Sequence, residues 1–330
     1  MSRPIDPTDL FDRLCTGDRV ALARAVTLVE STLPAHRAMA DELVAMCSSI
    51  HPETRRIAIS GVPGVGKSTF IDAFGSLLTA AGERVAVLAI DPSSEVGGGS
   101  ILGDKTRMER LATDPMAFVR PSPSGGNLGG VARSTRETIL LCEEAGFTTT
   151  LIETVGVGQS ETMAHGMTDM FLLLVLASAG DELQGIKRGI MEMADMVVIN
   201  KDDGSHSALT GPARGSYTNA LHLFPARPDG WEVPVAACSS VEGRGMTELA
   251  AQVERYFTHM RANGELVARR QAQAIQWFDA QLNEGILQTI LIDPSLNPIF
   301  AALRDTVRNG STDVPLAIQK AMVALRQRLD

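Results

Sequence analysis

Gly61-Val62-Pro63-Gly64-Val65-Gly66-Lys67-Ser68 fits the pattern G-x-x-x-x-G-K-[ST] at every position. A short apolar run at 57–60 precedes it, and a helical stretch from Thr69 to position 81 follows. Strand, glycine-rich turn and helix in that order separate a phosphate-binding loop from a chance glycine turn. The glycines let backbone N–H groups face phosphate oxygens, and the helix N-terminus adds partial positive charge. Lys67 is expected to bridge the β- and γ-phosphates, with the Ser68 hydroxyl on Mg²⁺. Residues 61–69 are the expected phosphate contacts.

On both sides of this loop, short apolar runs alternate with helical segments. The runs lie at 56–60, 85–90, 117–119, 150–152, 171–176, 196–199 and 233–237, with helical stretches at 69–81, 131–145 and 183–193. Continuous apolar strands alternating with helices imply an α/β fold with a mostly parallel sheet covered on both faces. Ligands then bind beyond the carboxyl ends of the strands. Upstream, 9–49 is helical in pattern. Downstream, helices are expected at 249–256, 266–291, 299–308 and 314–328, with Pro294 and Pro298 as breaks. The expected division is an N-terminal helical extension (1–52), a nucleotide domain (53–262) and a C-terminal helical arm (263–330). The 266–291 helix carries apolar residues on more than one side, as helices with a second packing partner do.

Asn200-Lys201-Asp202-Asp203 closes the run at 196–199. In N-K-x-D the final carboxylate accepts from guanine N1–H and N2–H₂. Adenine lacks those donors and would leave the carboxylate unpaired, so Asp203 is the expected specificity residue. The Lys201 stem would lie along the base. Ser239 and Ser240 follow the next strand, where a further base-contacting loop belongs. Asp91 and Glu153 each end a strand beside the phosphate loop and suit Mg²⁺, a hard ion that keeps several waters. Gly156 suits a backbone N–H approaching the γ-phosphate. Many GTPases place Gln directly after this glycine; here Gln159 lies three positions on, so slow intrinsic hydrolysis is expected. Candidate moving segments are Gly97–Gly99, Asp104, 121–130 and 177–189.

Composition narrows the partners. A net charge of −9 argues against a nucleic-acid backbone. Cys15, Cys47, Cys142 and Cys238 are scattered, which suits a reducing cytoplasm. The most apolar run, 171–177, falls short of the ~20 residues needed to span a bilayer, so no membrane role is expected.

Taken together these residues resemble the MeaB/ArgK-type P-loop GTPases, chaperones of adenosylcobalamin-dependent methylmalonyl-CoA mutase. The match is carried by 17–30, 61–69, 89–94, 98–108, 152–160 and 200–203, within a likeness that covers nearly the whole chain. The resemblance implies a GTPase domain of the SIMIBI class with N- and C-terminal helical extensions, the latter forming a homodimer. It implies that Lys67, Asp91, Asp104 and Glu153 are the functional polar set around GTP (or GDP) and Mg²⁺, with Ser68, Asp91, Asp104 and Glu153 on the metal side. Loops near 91–108, 153–165 and 177–189 would act as switches that gate cofactor loading and protect the mutase. Cobalamin would bind the partner. The alternatives are a nickel-type metallochaperone GTPase, which needs His or Cys clusters absent from this sequence, a small-molecule kinase, and a non-hydrolysing scaffold.

Overall fold

The computed structural model describes residues 6–47, 51–90, 108–120, 128–154, 159–177, 188–204 and 207–329. The apolar runs form seven strands: β1 (Arg55–Gly61), β2 (Val85–Ile90), β3 (Ala117–Arg120), β4 (Thr149–Thr154), β5 (Met170–Leu176), β6 (Met196–Asn200) and β7 (Val235–Ala237). They pair in the order β3-β2-β4-β1-β5-β6-β7, every pair parallel. Strands this apolar are buried on both faces, because helices cover each side. β1 lies centrally between β4 and β5, so the phosphate loop at its carboxyl end is flanked by both strand ends.

One face is covered by α4 (Lys67–Ala80), by α5 (Glu109–Thr113) and by α10 (Met246–Ala262), packed through Phe70, Phe74, Leu111 and Tyr256. The other carries α6 (Leu128–Glu144), α7 (Gln159–His165), α8 (Arg188–Met193) and α9 (Ser207–Leu221), through Ile139, Ala164, Met191 and Tyr217. The sequence pattern gave no sign of α9. Pro212 sits inside it, with glycines on either side of that turn, and such residues ordinarily break a helix. Tyr217 packs into the core on this face and buried Thr210 bonds Asp202, contacts that offset the lost backbone bond.

By internal contacts the chain divides into Met1–Arg270 and Gln271–Asp330. In the first unit, α1 (Pro7–Cys15), α2 (Arg19–Val29) and α3 (Pro34–Met46) share a core with Phe118, Leu141 and Phe147. Asp18 caps α2, accepting from the Val20 and Ala21 N–H groups. The next residue, Arg19, donates to Asp114 O, Pro115 O and Ala117 O at 3.4, 3.1 and 2.6 Å, sealing the outer edge at β3. Beneath the sheet, buried Asp169 receives Arg270 Nε and Nη2 at 2.7 and 2.6 Å, and Asp195 pairs with Arg227 and Arg269. The Arg269 and Arg270 pairs fix the second turn of α11 (Glu265–Ile292) to the strand starts.

In the second unit, α12 (Asn297–Arg308) packs on α13 (Val314–Leu329), and Arg328 reaches Asp293 at 3.2 Å. Ile275, Phe278, Leu282 and Ile286 recur at helical spacing along α11 and are all exposed. Among the described residues no single helix is long and apolar enough to cross a membrane; the pair α11 and α12 passes that test together but is bent by 87°.

Candidate functional site

The phosphate loop begins where β1 meets a steric limit. Gly61 has φ +151°, and a Cβ there would stand 2.4 Å from Leu174 O of β5. Only glycine lets the chain pass that carbonyl and turn. Gly61→Ala is expected to lower unfolding free energy by about 1–3 kcal/mol and to weaken GDP binding in parallel; denaturant titration and calorimetry read both. Gly66, at φ +95°, precedes the first turn of α4, and a Cβ there would meet Asn200 Nδ2 at 2.9 Å. The loop and the Asn200–Asp203 segment therefore touch through a position that admits no side chain.

Lys67 lies across the loop, donating to Gly61 O at 2.8 Å and Val62 O at 3.3 Å. Burial pushes its ammonium pKa down, while the carboxylates of Glu153 and then Glu161 oppose that shift. Ser68 Oγ donates to Glu153 Oε1 at 2.8 Å. β4 positions Glu153, opposite Ile59 in the β1 register, and the carboxylate is largely buried. Two hard oxygens thus converge between a helix start and a strand end. That donor set fits Mg²⁺, which takes one or two protein oxygens and completes its shell with phosphate and water. Val65 is fully buried, whereas Pro63, Gly64 and Thr69 face solvent around the loop.

The Asn200–Asp203 segment, the expected base reader, is tied to the same place. Asn200 Nδ2 donates to Val65 O at 2.9 Å, and its Oδ1 accepts from Ser240 Oγ at 2.7 Å. Lys201 Nζ donates to Gly64 O at 2.8 Å. Ser239 Oγ donates to Asp203 Oδ2 at 2.5 Å. Among the described residues Lys201 is the one non-glycine at positive φ, +61°. Such a conformation costs on the order of 1–3 kcal/mol and persists where the surroundings over-determine it.

The structure therefore brings together Gly61 to Ser68, Glu153, Asn200, Lys201, Asp203, Ser239 and Ser240. Asp91, Asp104 and Gly156 lie outside the described residues, as do most of the expected switch loops. Sequence reasoning passed over Glu161, whose field reaches Lys67, and Asp202, whose side chain accepts from Thr210 Oγ1 at 2.7 Å. Neither contact has a local signature; both come from how helices dock on the sheet.

The family described as "Methylmalonyl Co-A mutase-associated GTPase MeaB" matches residues 22–295. A "Putative GTPase" of Caulobacter vibrioides is 48% identical over 97% of this chain and 98% of its own length. The "GTPase ArgK" of Escherichia coli is 45% identical over 91% of this chain and 90% of its own. A "Methylmalonic aciduria type A homolog, mitochondrial" of Mus musculus is 44% identical over 97% of this chain and 79% of its own. A solved structure described as an LAO/AO transport system kinase superposes with a TM-score of 0.74 at 35% identity, over 98% of this chain and all of that one.

Proposed function

The chain belongs to the methylmalonyl-CoA mutase-associated GTPases, and from that membership we propose that it is a GTP-driven chaperone that gates cofactor loading and protects an adenosylcobalamin-dependent methylmalonyl-CoA mutase. Guanine-nucleotide binding and GTP hydrolysis follow from the family itself. The observation that carries the finer reading is the family match over residues 22–295, which runs through the nucleotide site and into α11.

In this reading Lys67 exchanges the Gly61 and Val62 carbonyls for the β- and γ-phosphates. Ser68 and Glu153, with Asp91 and Asp104, would hold Mg²⁺, which would supply charge neutralisation to the nucleotide's phosphates. Glu153 and Gly156 sense the γ-phosphate, so the loops at 91–108 and 153–165 differ between GTP and GDP states, and 177–189 follows them. Asp203 selects guanine, helped by Lys201, Ser239 and Ser240. The nucleotide acts on the partner only through a difference in affinity between those states. Cobalamin stays on the mutase. Residues 1–52, 53–262 and 263–330 serve as helical extension, GTPase domain and dimerisation arm, the exposed apolar stripe of α11 supporting a homodimer. We place the protein in the cytoplasm.

The test is GTP hydrolysis by the purified protein, alone and with the mutase, with ATP as control. The expected intrinsic rate is about 10⁻² s⁻¹ or lower, since no Gln directly follows Gly156. Stimulation by the mutase supports the chaperone reading; an unresponsive rate leaves a GTPase with another partner. Phosphoryl transfer to a small acceptor is favoured only by the kinase description of the solved relative, and a phosphorylated product from GTP would establish it.

A further inference from the structure

Asp202, the variable position inside Asn200-Lys201-Asp202-Asp203, is held more firmly than a spacer needs to be. Its N–H donates to Cys238 O at 3.0 Å, just past β7. Its Oδ1 accepts from Thr210 Oγ1 at 2.7 Å, at the start of α9, and Thr210 is buried. Arg244 Nη1 stands 4.0 Å from Oδ2. The preceding residue is Lys201, in its left-handed conformation at φ +61°. On the upstream side Asn200 is anchored to Val65 O and Ser240 Oγ. A strained residue between two anchored neighbours keeps its shape only while both anchors hold.

We propose that Asp202 is a positioning residue for guanine recognition: through Thr210 and Cys238 it fixes the turn that aims Lys201 and Asp203 at the base. Its own carboxylate is committed to Thr210, so it acts on the base through its neighbours. The geometry also makes the start of α9 part of the base-reading apparatus, since the Asp202–Thr210 bond docks that helix onto the segment. Loss of the anchor lets Lys201 relax toward ordinary φ, which swings the stem of Lys201 away from Gly64 and the carboxylate of Asp203 away from Ser239.

The inference rests on the reading of Asp203 as the guanine acceptor, and the experiment separates the two. GDP affinity, GTP KM and kcat, and the GTP-over-ATP preference are measured for Asp202→Ala, Asp202→Asn, Thr210→Val and Asp203→Asn. In Asp202→Ala, GDP affinity is expected to weaken and GTP KM to rise about tenfold, with kcat at saturating GTP within roughly twofold. Asp202→Asn keeps the acceptor oxygen and is expected to restore KM to within about threefold of the unaltered protein. A folded Asp202→Ala protein with unaltered KM and GDP affinity overturns the proposal, as does a loss confined to kcat. If Asp202→Ala does not fold, Thr210→Val decides: it removes only the donor, and an unmoved KM overturns the proposal. Asp203→Asn is the control. If it relaxes guanine preference while Asp202→Ala and Thr210→Val change nothing, only this inference fails. If Asp203→Asn leaves that preference intact, the base-reader assignment fails and takes the inference with it.

Discussion

Lys67→Ala is expected to reduce GTP hydrolysis by about 10²-fold or more and to weaken GTP binding by about 2–3 kcal/mol. The ammonium lies across the loop on Gly61 O and Val62 O, while the second cation at the loop, Lys201, is held on Gly64 O. A half-buried ammonium gains more from a doubly charged phosphate than from neutral acceptors, so bound nucleotide is expected to draw it off those two carbonyls. Folding is expected to lose no more than about 1–2 kcal/mol, the net worth of hydrogen bonds to neutral carbonyls. Lys67→Arg should rescue poorly, because a planar fork does not fit a seat shaped for a compact charge. Single-turnover phosphate release and calorimetry with a non-hydrolysable GTP analogue read the two effects apart. A variant that still hydrolyses GTP at the original rate would remove Lys67 from the chemistry.

The second large effect is on base choice. If Asp203 accepts from guanine as proposed, Asp203→Asn presents a donor to guanine N1–H or N2–H₂, and one hydrogen bond becomes a clash of donors. GTP binding is expected to weaken by about 2–3 kcal/mol, roughly 30- to 150-fold, with ATP binding little changed. Guanine loses its advantage rather than adenine gaining one. The Ser239 hydroxyl, 2.5 Å from Oδ2, amplifies the loss, because it holds the carboxylate in one orientation before the base arrives. Competition between GTP and ATP for a fluorescent GDP analogue measures the ratio. Undiminished GTP preference would transfer specificity to the backbone around Ser240.

Much of this arrangement could be read from the chain alone, for reasons of scale. A buried parallel strand must be apolar on both faces, so runs such as Val85–Ile90 announce themselves, and the observed strand has those same ends. The phosphate loop is legible because its chemistry is local: strand, glycines, lysine and hydroxyl lie within a few residues. α9 was hidden because Pro212 and its glycine neighbours read as loop, and only tertiary burial shows why the helix survives them. The ties that complete the site were equally out of reach. Asn200 meets Val65 across 135 positions and Ser239 meets Asp203 across 36, pairings decided by strand order. The Ser68–Glu153 contact falls between these cases: each residue was expected beside the metal, but their hydrogen bond follows from β1 and β4 being neighbours.

Arg19 and the three helices around it bear on how the molecule can be dissected. A shortened chain starting at β1 would look like a minimal nucleotide binder. It would lose the guanidinium that occupies Ala117 O and would lay Phe118 and Phe147 bare. An outer strand with unclaimed carbonyls beside exposed aromatic rings is a template for intermolecular pairing. Such a fragment is destined for inclusion bodies, and the autonomous folding unit of this GTPase reaches back at least to α1.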